Sequence, residues 1–202
     1  MIKFKLFFNM DKEEKWLNAM LQEGWMCTKI SPFGYYTLKR TSDTEQVIRI
    51  DFQQDLRKEA RENYVQLHKD FGWQAIKGKS NDGTYYWIKD KDGHDELFSD
   101  NDSQIAKYKR LMKHASFWAI LSFAFLMVIY SSYDYPLFFD LKGAYFTPGL
   151  WDKEGLSFLF AFLFETPFAL MRFIPPWLFI ATSVIYALTY IRYRKAIQHL
   201  VQ

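Results

Sequence analysis

The sequence has little of the chemistry that catalytic and metal sites need. It contains one cysteine, Cys27, and four histidines in 202 residues. A single cysteine excludes an internal disulfide and any metal site built from several cysteines. His94 lies in an acidic loop without a second cluster of ligand-type residues, and His68 is expected in a core. The sequence has no phosphate-binding glycine loop, nucleophile elbow or zinc-peptidase motif. We therefore predict no catalytic residue, no metal site and no cofactor, and we expect Cys27 to be an inert buried thiol.

The chain has no large excess of positive or negative charge, since its formal net charge is only +3. Residues 1–101 are highly charged but near-neutral, and the positive excess lies beside apolar runs in the second half. This pattern argues against a nucleic-acid-binding face and favours a bilayer as partner. The apolar run Leu6–Phe8 is too short for a signal peptide, and acidic residues follow it. We expect the first half to remain in the cytosol.

Long apolar runs are present only in the second half. Residues 115–133 and 173–191 carry no charge, and each nearly spans a hydrocarbon core of roughly 30 Å. Neither glycine nor proline occurs between 102 and 133, which predicts one continuous helix over that range. The alternative for 115–133 is the buried core helix of a soluble protein, and the second apolar run makes that alternative less favourable.

Basic residues flank both apolar runs on the side of the charged half. They are Lys107, Lys109, Arg110 and Lys113 before the first run, and Arg192, Arg194 and Lys195 after the second. By the positive-inside rule, this pattern predicts two spans with both termini in the cytoplasm. A third span at 156–171 would place Glu165 near mid-membrane and export the last basic cluster. We therefore predict that 156–171 is an interfacial or re-entrant segment.

Residues 1–101 contain an internal repeat. Gly24-Trp25 recurs as Gly72-Trp73, and Tyr35-Tyr36 recurs as Tyr85-Tyr86. In 3–8 and in 47–52 apolar and charged residues alternate, which predicts two strands, each with one wet and one buried face. A helical period follows each of them, and then a hairpin signal at 31–34 and at 80–83. Each copy is therefore predicted to be strand–helix–strand–strand.

Two such copies predict an α+β sandwich related to the ferredoxin-like layout, with both helices on one sheet face. The helices are expected to bury Trp16, Trp25, Phe71 and Trp73. The predicted domains are a cytosolic α+β repeat domain at 1–101 and an all-α transmembrane region at 102–202.

The four repeat tyrosines have two interpretations. They fill the helix–sheet interface, or they line a groove for a protein partner. Adjacent residues of a strand point to opposite faces, so one tyrosine of each pair is expected to face away from the core. The candidate partner-binding residues are Tyr35, Tyr36, Tyr85 and Tyr86.

The segment between the apolar runs is loop-like and aromatic. Its candidate membrane-sensing residues are Trp151, Glu165 and Arg172. Glu165 is either a functional carboxylate or a residue at the headgroup level, where ionisation costs little.

Motifs in the first 112 residues resemble those of a family of bacterial membrane proteins of unknown function. The matching stretches are Phe4–Phe8, Glu13–Met20, Gly34–Tyr35, Val47–Phe52, Gly72–Trp73 and Glu96–Leu111. Members of that family resemble one another in having a soluble repeat followed by membrane spans. They are often encoded beside PadR-type transcriptional repressors. The resemblance implies a regulatory or stress-response setting at the bacterial cell membrane and defines no activity.

These features predict a non-enzymatic regulatory or interaction protein of the bacterial cell membrane. Its cytosolic domain would bind a protein partner, either a repressor or a transporter component, and a long helix would couple the domain to the bilayer. No nucleic-acid partner is expected, and a homo-oligomer is compatible with the sequence. One alternative is an accessory or immunity-type subunit of a membrane transport or stress-response complex, acting through 134–172. A weaker alternative is a membrane enzyme that uses Glu165 and Arg172.

Overall fold

The computed structural model describes residues 1–54, 56–78, 83–98, 100–132 and 140–201. The elements in chain order are β1 (Ile2–Phe4), α1 (Met10–Gln22), β2 (Trp25–Ile30), β3 (Tyr35–Arg40), β4 (Gln46–Phe52), α2 (Lys58–Asp70), β5 (Gln74–Ala75), β6 (Lys77–Gly78), β7 (Thr84–Asp90), α3 (Asn101–Ser131) and α4 (Gly155–Val201). The chain divides into two compact units. The first comprises Met1–Met112 with Arg192–Gln202, and the second comprises Lys113–Ile191.

The α+β class of the first unit is confirmed, but its strands form two small sheets. One sheet has the order β1-β3-β2-β6 and the other the order β4-β7-β5. The division occurs at Ile76, because β5 pairs with β7 whereas β6 pairs in parallel with β2. Ile76 is buried, and its backbone N–H donates to the carbonyl of Tyr86 at 2.9 Å, which fixes the chain where it passes between the sheets.

The expectation that both helices pack on one sheet face is wrong. On one face of the β4–β7 sheet, Ile48, Ile50 and Tyr86 pack in a core cluster with the buried side of α1. On the other face, Val47 and Trp87 pack with the apolar side of α2. The β4–β7 sheet therefore lies between two helices.

The helix ends follow the sequence signals. Asn9 is the N-cap of α1, and its side chain accepts the N–H of Lys12 at 3.0 Å. Gly24 and Gly72, with φ of 78° and 84°, follow the ends of α1 and α2 in the left-handed conformation that glycine favours.

The predicted burial of aromatics is only partly correct. Trp73 is buried, and Trp16 and Trp25 are half-buried, whereas Phe71 is 66 % exposed. Phe71 follows the last residue of α2 and lies outside the core, whereas Tyr64 and His68 within the helix contact the sheet. As predicted, His68 is a core residue, and its ring stacks on Trp87 at 4.5 Å.

The two strands predicted to have one wet face depart from that expectation. In β4 the nominally wet residue Asp51 is fully buried, because this face is covered. In β1 the faces are reversed: Phe4 is exposed, while the ammonium group of Lys3 contacts the buried sulfur of Met20 at 3.1 Å. A shift of one residue reverses the faces of a strand, and here it places the apolar side chains outside.

The second unit contains most of two long apolar helices. Both α3 and α4 are long and apolar enough to cross a membrane by length and composition. The sequence predicts a separate segment at 156–171, whereas the structure has one helix of 47 residues from Gly155 to Val201, with three prolines inside it. A re-entrant segment needs a turn, and this helix contains none. The predicted hairpin at 80–82 and the predicted helix end at 133 lie outside the described residues.

Replacing Trp73 by alanine should destabilise the first unit more than replacing Trp25. Trp73 is buried, so its loss should cost about 3–4 kcal/mol, whereas half-buried Trp25 should cost about 1–2 kcal/mol. Urea unfolding of the detergent-solubilised full chain, read by hydrogen exchange in β4 and β7, would measure both values. Equal effects would contradict the assignment of Trp73 to the core.

Candidate functional site

The structure buries three of the four repeat tyrosines. Tyr36, Tyr85 and Tyr86 are buried, and only Tyr35 is exposed, at 50 %. Tyr85 and Tyr86 point to opposite faces, but each of those faces is covered by a helix. The four tyrosines therefore do not line an open groove, and the helix–sheet interpretation holds for all except Tyr35.

The second tyrosines of the two repeats converge on one carboxyl group. The hydroxyls of Tyr36 and Tyr86 donate to the same oxygen, Oε1 of Glu13, at 2.6 and 2.7 Å. Glu13 lies on the buried face of α1. Burial, together with the neighbouring Glu13, raises the pKa of Tyr36, so this hydroxyl remains a donor at neutral pH. This Glu13 centre connects α1 with both sheets.

Cys27 lies in the same core and is buried. Burial raises the pKa of its thiol to about 12, so the thiolate is scarce at neutral pH. We therefore expect alkylation of Cys27 at pH 8 to be about a thousandfold slower than that of a free cysteine. Iodoacetamide labelling followed by mass spectrometry would measure the rate, and unfolding in urea should restore it. Rapid alkylation of the native chain would contradict an inert thiol.

A second buried carboxyl group, Asp51, holds the first turns of α3. Its oxygens accept the hydroxyl of Tyr64 at 2.7 Å and the guanidinium of Arg110 at 3.2 Å. Nε of Arg110 also donates to the carbonyl of Phe52 at 2.7 Å. Burial and the adjacent Asp51 raise the pKa of Tyr64, which therefore acts as a donor. Arg110 thus binds the protein interior, although its sequence context suggests a membrane flank.

Side chains also hydrogen-bond the outer edge of β4, which pairs with no strand among the described residues. The amide of Asn18 bonds both backbone groups of Ile48, at 2.8 and 2.9 Å. The carboxylate of Glu14 accepts the N–H of Ile50 at 2.8 Å, and Arg110 covers the carbonyl of Phe52. This edge is therefore closed to strand pairing with another chain.

The last turns of α4 pack on the same side of the first unit. Tyr193 is buried in a cluster with Phe52 and Leu111, and its hydroxyl accepts the N–H of Met10 at 3.2 Å. Its ring stacks on that of Tyr108 at 5.5 Å. The polar ends of both long helices are therefore built into the α+β unit.

The predicted basic flanks fall into two groups. Lys107 is buried, and Arg110 is half-buried and paired with Asp51. The remaining five cations are exposed, namely Lys109, Lys113, Arg192, Arg194 and Lys195.

The candidate membrane-sensing residues meet in the second unit. Arg172 pairs with Glu165 at 2.7 Å and donates to the carbonyl of Ala144 at 2.8 Å. The other oxygen of Glu165 accepts the hydroxyl of Thr147 at 2.9 Å. Trp151 lies in an adjoining aromatic cluster with Tyr145, Phe158 and Phe162. We call this attachment of residues 140–154 to α4 the clasp.

Sequence reasoning missed Glu13 and Asp51. Glu13 lies four residues before Leu17 and seven before Met20, so it occupies the apolar stripe of α1. That spacing was a usable signal. For Asp51 the alternation of apolar and charged residues in β4 predicts an exposed side chain. Its burial becomes evident only when α2 is seen to cover that face of the sheet.

The described residues contain no group of three or more His, Cys, Asp or Glu side chains placed to hold a metal ion. The buried carboxyl groups of Glu13, Asp51 and Glu165 are instead engaged by structural hydrogen-bond donors. The chain is thus an α+β unit of two small sheets joined to two long apolar helices. The profile of the family described as "Protein of unknown function (DUF2812)" matches residues 9–121, and the chain belongs to this family. No curated protein and no solved structure matches the chain.

Proposed function

We propose that this protein is a membrane-anchored interaction protein without enzymatic activity of its own. Both long helices cross the bacterial cell membrane, and the α+β unit binds a protein partner in the cytoplasm. The observation that carries the proposal is the exposure of the apolar helices. In their most apolar windows only 17 % of α3 and 11 % of α4 is buried, whereas the core helix of a soluble protein is mostly buried. Lipid tails are the solvent that such helices require.

The chain path supports a hairpin of two spans. The first turns of α3 and the last turns of α4 belong to the same compact unit, which supports an even number of crossings. At 1.5 Å per residue, 173–191 covers about 29 Å, close to a hydrocarbon core. Residues 155–172 then continue beyond the bilayer on the far side. There the clasp supplies hydrogen-bond partners to Glu165 and Arg172, at the point where α4 leaves the lipid.

A protein partner is supported by the surface of α2. Leu67 and Phe71 are exposed four residues apart at the C-terminal end of α2, so they form a small apolar pair on the surface. Exposed large apolar groups at helical spacing are typical of a protein contact. The family resemblance suggests a repressor or a transporter component as the partner, and α3 is the element that couples its binding site to the bilayer.

Two measurements on native membranes test the proposal. The wild-type chain should resist carbonate extraction, and affinity purification after cross-linking should recover a specific protein. The double variant Leu67→Ser/Phe71→Ser should lose that protein and still resist carbonate, whereas the exposed control Glu62→Gln should keep both properties. Release by carbonate would contradict the anchor, and equal recovery by the double variant would contradict the α2 surface.

The clasp favours a second candidate function. A rigid aromatic surface on the far side suits an accessory or immunity-type subunit of a membrane transport or stress-response complex. In that case Glu165→Gln/Arg172→Gln, which breaks the 2.7 Å pair, should remove the recovered protein and the α2 variant should not. The same double variant tests a membrane enzyme, whose activity would need these two groups.

A further inference from the structure

Apolar side chains cover the outer face and the tip of the first sheet. Phe4 and Tyr35 are cross-strand partners with ring centroids 5.1 Å apart, and both are exposed. Ile2 lies two residues from Phe4 and therefore on the same face. At the tip, Phe33 is 76 % exposed in the turn between β2 and β3. We call this surface the tip patch, and it consists of Ile2, Phe4, Leu6, Phe33 and Tyr35.

The tip patch continues across the turn. A Cβ on Gly34 would lie 2.9 Å from the side chain of Leu6, so Leu6 is directly against the turn that carries Phe33. Soluble monomers rarely expose a contiguous apolar surface of this kind without a binding function. The exposure of the apolar side chains of β1 therefore indicates that a binding partner covers this surface.

The charge of the first sheet identifies the class of occupant. Strands β1, β2 and β3 contain four cations and no Asp or Glu, the cations being Lys3, Lys29, Lys39 and Arg40. Lys29 is paired across the strands with Thr37, and Lys39 lies two residues from Thr37, so both lysines share the outer face. Both are exposed. The β4–β7 sheet differs, because its strands contain Asp51 and Asp90 beside their cations.

We propose that the tip patch docks on an anionic lipid surface, with Phe33 and Leu6 entering the headgroup layer and Lys29 and Lys39 binding lipid phosphates. Apolar residues at a tip with cations behind them match the interfacial region of a membrane. A second copy is disfavoured, because facing patches would bring the same lysines together. The inference rests on the proposed function, since α3 and α4 hold the unit near a bilayer.

The test uses the full chain reconstituted into vesicles of phosphatidylcholine or of phosphatidylcholine with phosphatidylglycerol. An environment-sensitive fluorophore is attached at Pro32→Cys beside Phe33, and a reference fluorophore at Lys69→Cys on exposed α2. The Pro32 label should shift to the blue and be quenched by brominated lipid only in anionic vesicles at low salt. The Lys69 label should not respond.

Matched variants separate docking from other causes. Lys29→Gln/Lys39→Gln should lower the docked-to-free ratio about 30-fold, as expected for two cations at an anionic surface. Lys12→Gln/Lys15→Gln, which removes two exposed cations of α1, should leave it unchanged. Equal quenching in both vesicle types, or no effect of the first pair of substitutions, would overturn the proposal. A response of the Pro32 label to added RNA in lipid-free micelles would assign the patch to RNA instead. A response that depends on protein density in the vesicle would assign it to a second copy of the chain.

Carbonate-resistant flotation of the same vesicles separates the two proposals. Flotation with both lipid compositions and a silent Pro32 label would reject docking and leave anchoring intact. Flotation at neutral pH with anionic vesicles alone, lost in carbonate and accompanied by a responding label, would support docking and reject anchoring. Flotation with neither would reject both.

Discussion

Replacing Glu13 by leucine should lower the free energy of unfolding of the first unit by about 3–5 kcal/mol. Leucine has a similar volume, so the loss is not caused by a cavity. It is caused by the hydroxyls of Tyr36 and Tyr86, which would remain buried without their shared acceptor. Each unsatisfied buried group costs about 1–3 kcal/mol. Urea titration of the detergent-solubilised full chain, read by hydrogen exchange in β4 and β7, is the measurement.

Two control variants make this prediction specific. Glu13→Gln retains a carbonyl oxygen at the site and should lose much less stability. The triple variant Glu13→Leu/Tyr36→Phe/Tyr86→Phe removes donors and acceptor together and should recover most of the loss. A triple variant that is no more stable than Glu13→Leu would show that the hydrogen bonds of the Glu13 centre are not the cause.

Replacing Arg110 by methionine should cost about 2–4 kcal/mol, because it leaves the buried carboxyl of Asp51 without its cation. It also removes the donor to the carbonyl of Phe52. Hydrogen exchange should increase in β4 and in the first turns of α3, which this pair connects. Lys109→Met is the matched control, since Lys109 is adjacent and exposed.

The same pair of variants tests the division of the basic flank. If Arg110 acted only on lipid headgroups, Arg110→Met and Lys109→Met would have similar effects on exchange in β4. That result would contradict a structural role for Arg110. Asp51→Asn/Arg110→Met should be less damaging than Arg110→Met alone, because the buried acid is then neutral.

Features with a local cause could be predicted from the sequence. The strand and helix periods of each repeat are short-range patterns, and the α+β class that they predict is present in the structure. The apolar length of α3 is also a local property, and its start at Asn101 lies within one residue of the expected position. The core position of His68 followed from helical spacing alone.

Features that depend on contacts between residues far apart in the sequence could not be predicted. The division of the sheet at Ile76 depends on which strands β5 and β6 reach, and that is a long-range choice. The burial of Asp51 requires a layer on a face that its own strand pattern assigns to solvent. Likewise, the docking of Tyr193 near Met10 joins residues 183 positions apart, which no local pattern encodes. The continuity of α4 through Pro167 could not be predicted, because a proline inside an apolar run is typical of a helix boundary.

In the proposed arrangement, the α+β unit and both helix ends lie on one side of a bilayer and the clasp lies on the other. Single cysteines at Gln22, Gln198 and Lys153, all exposed positions, test it in intact bacterial cells with a membrane-impermeant thiol reagent. Buried Cys27 should give little background. The account predicts labelling of Lys153→Cys alone, with Gln22→Cys and Gln198→Cys reacting only after the cells are opened. Labelling of Gln198→Cys in intact cells, or protection of all three positions, would contradict the two-span anchor.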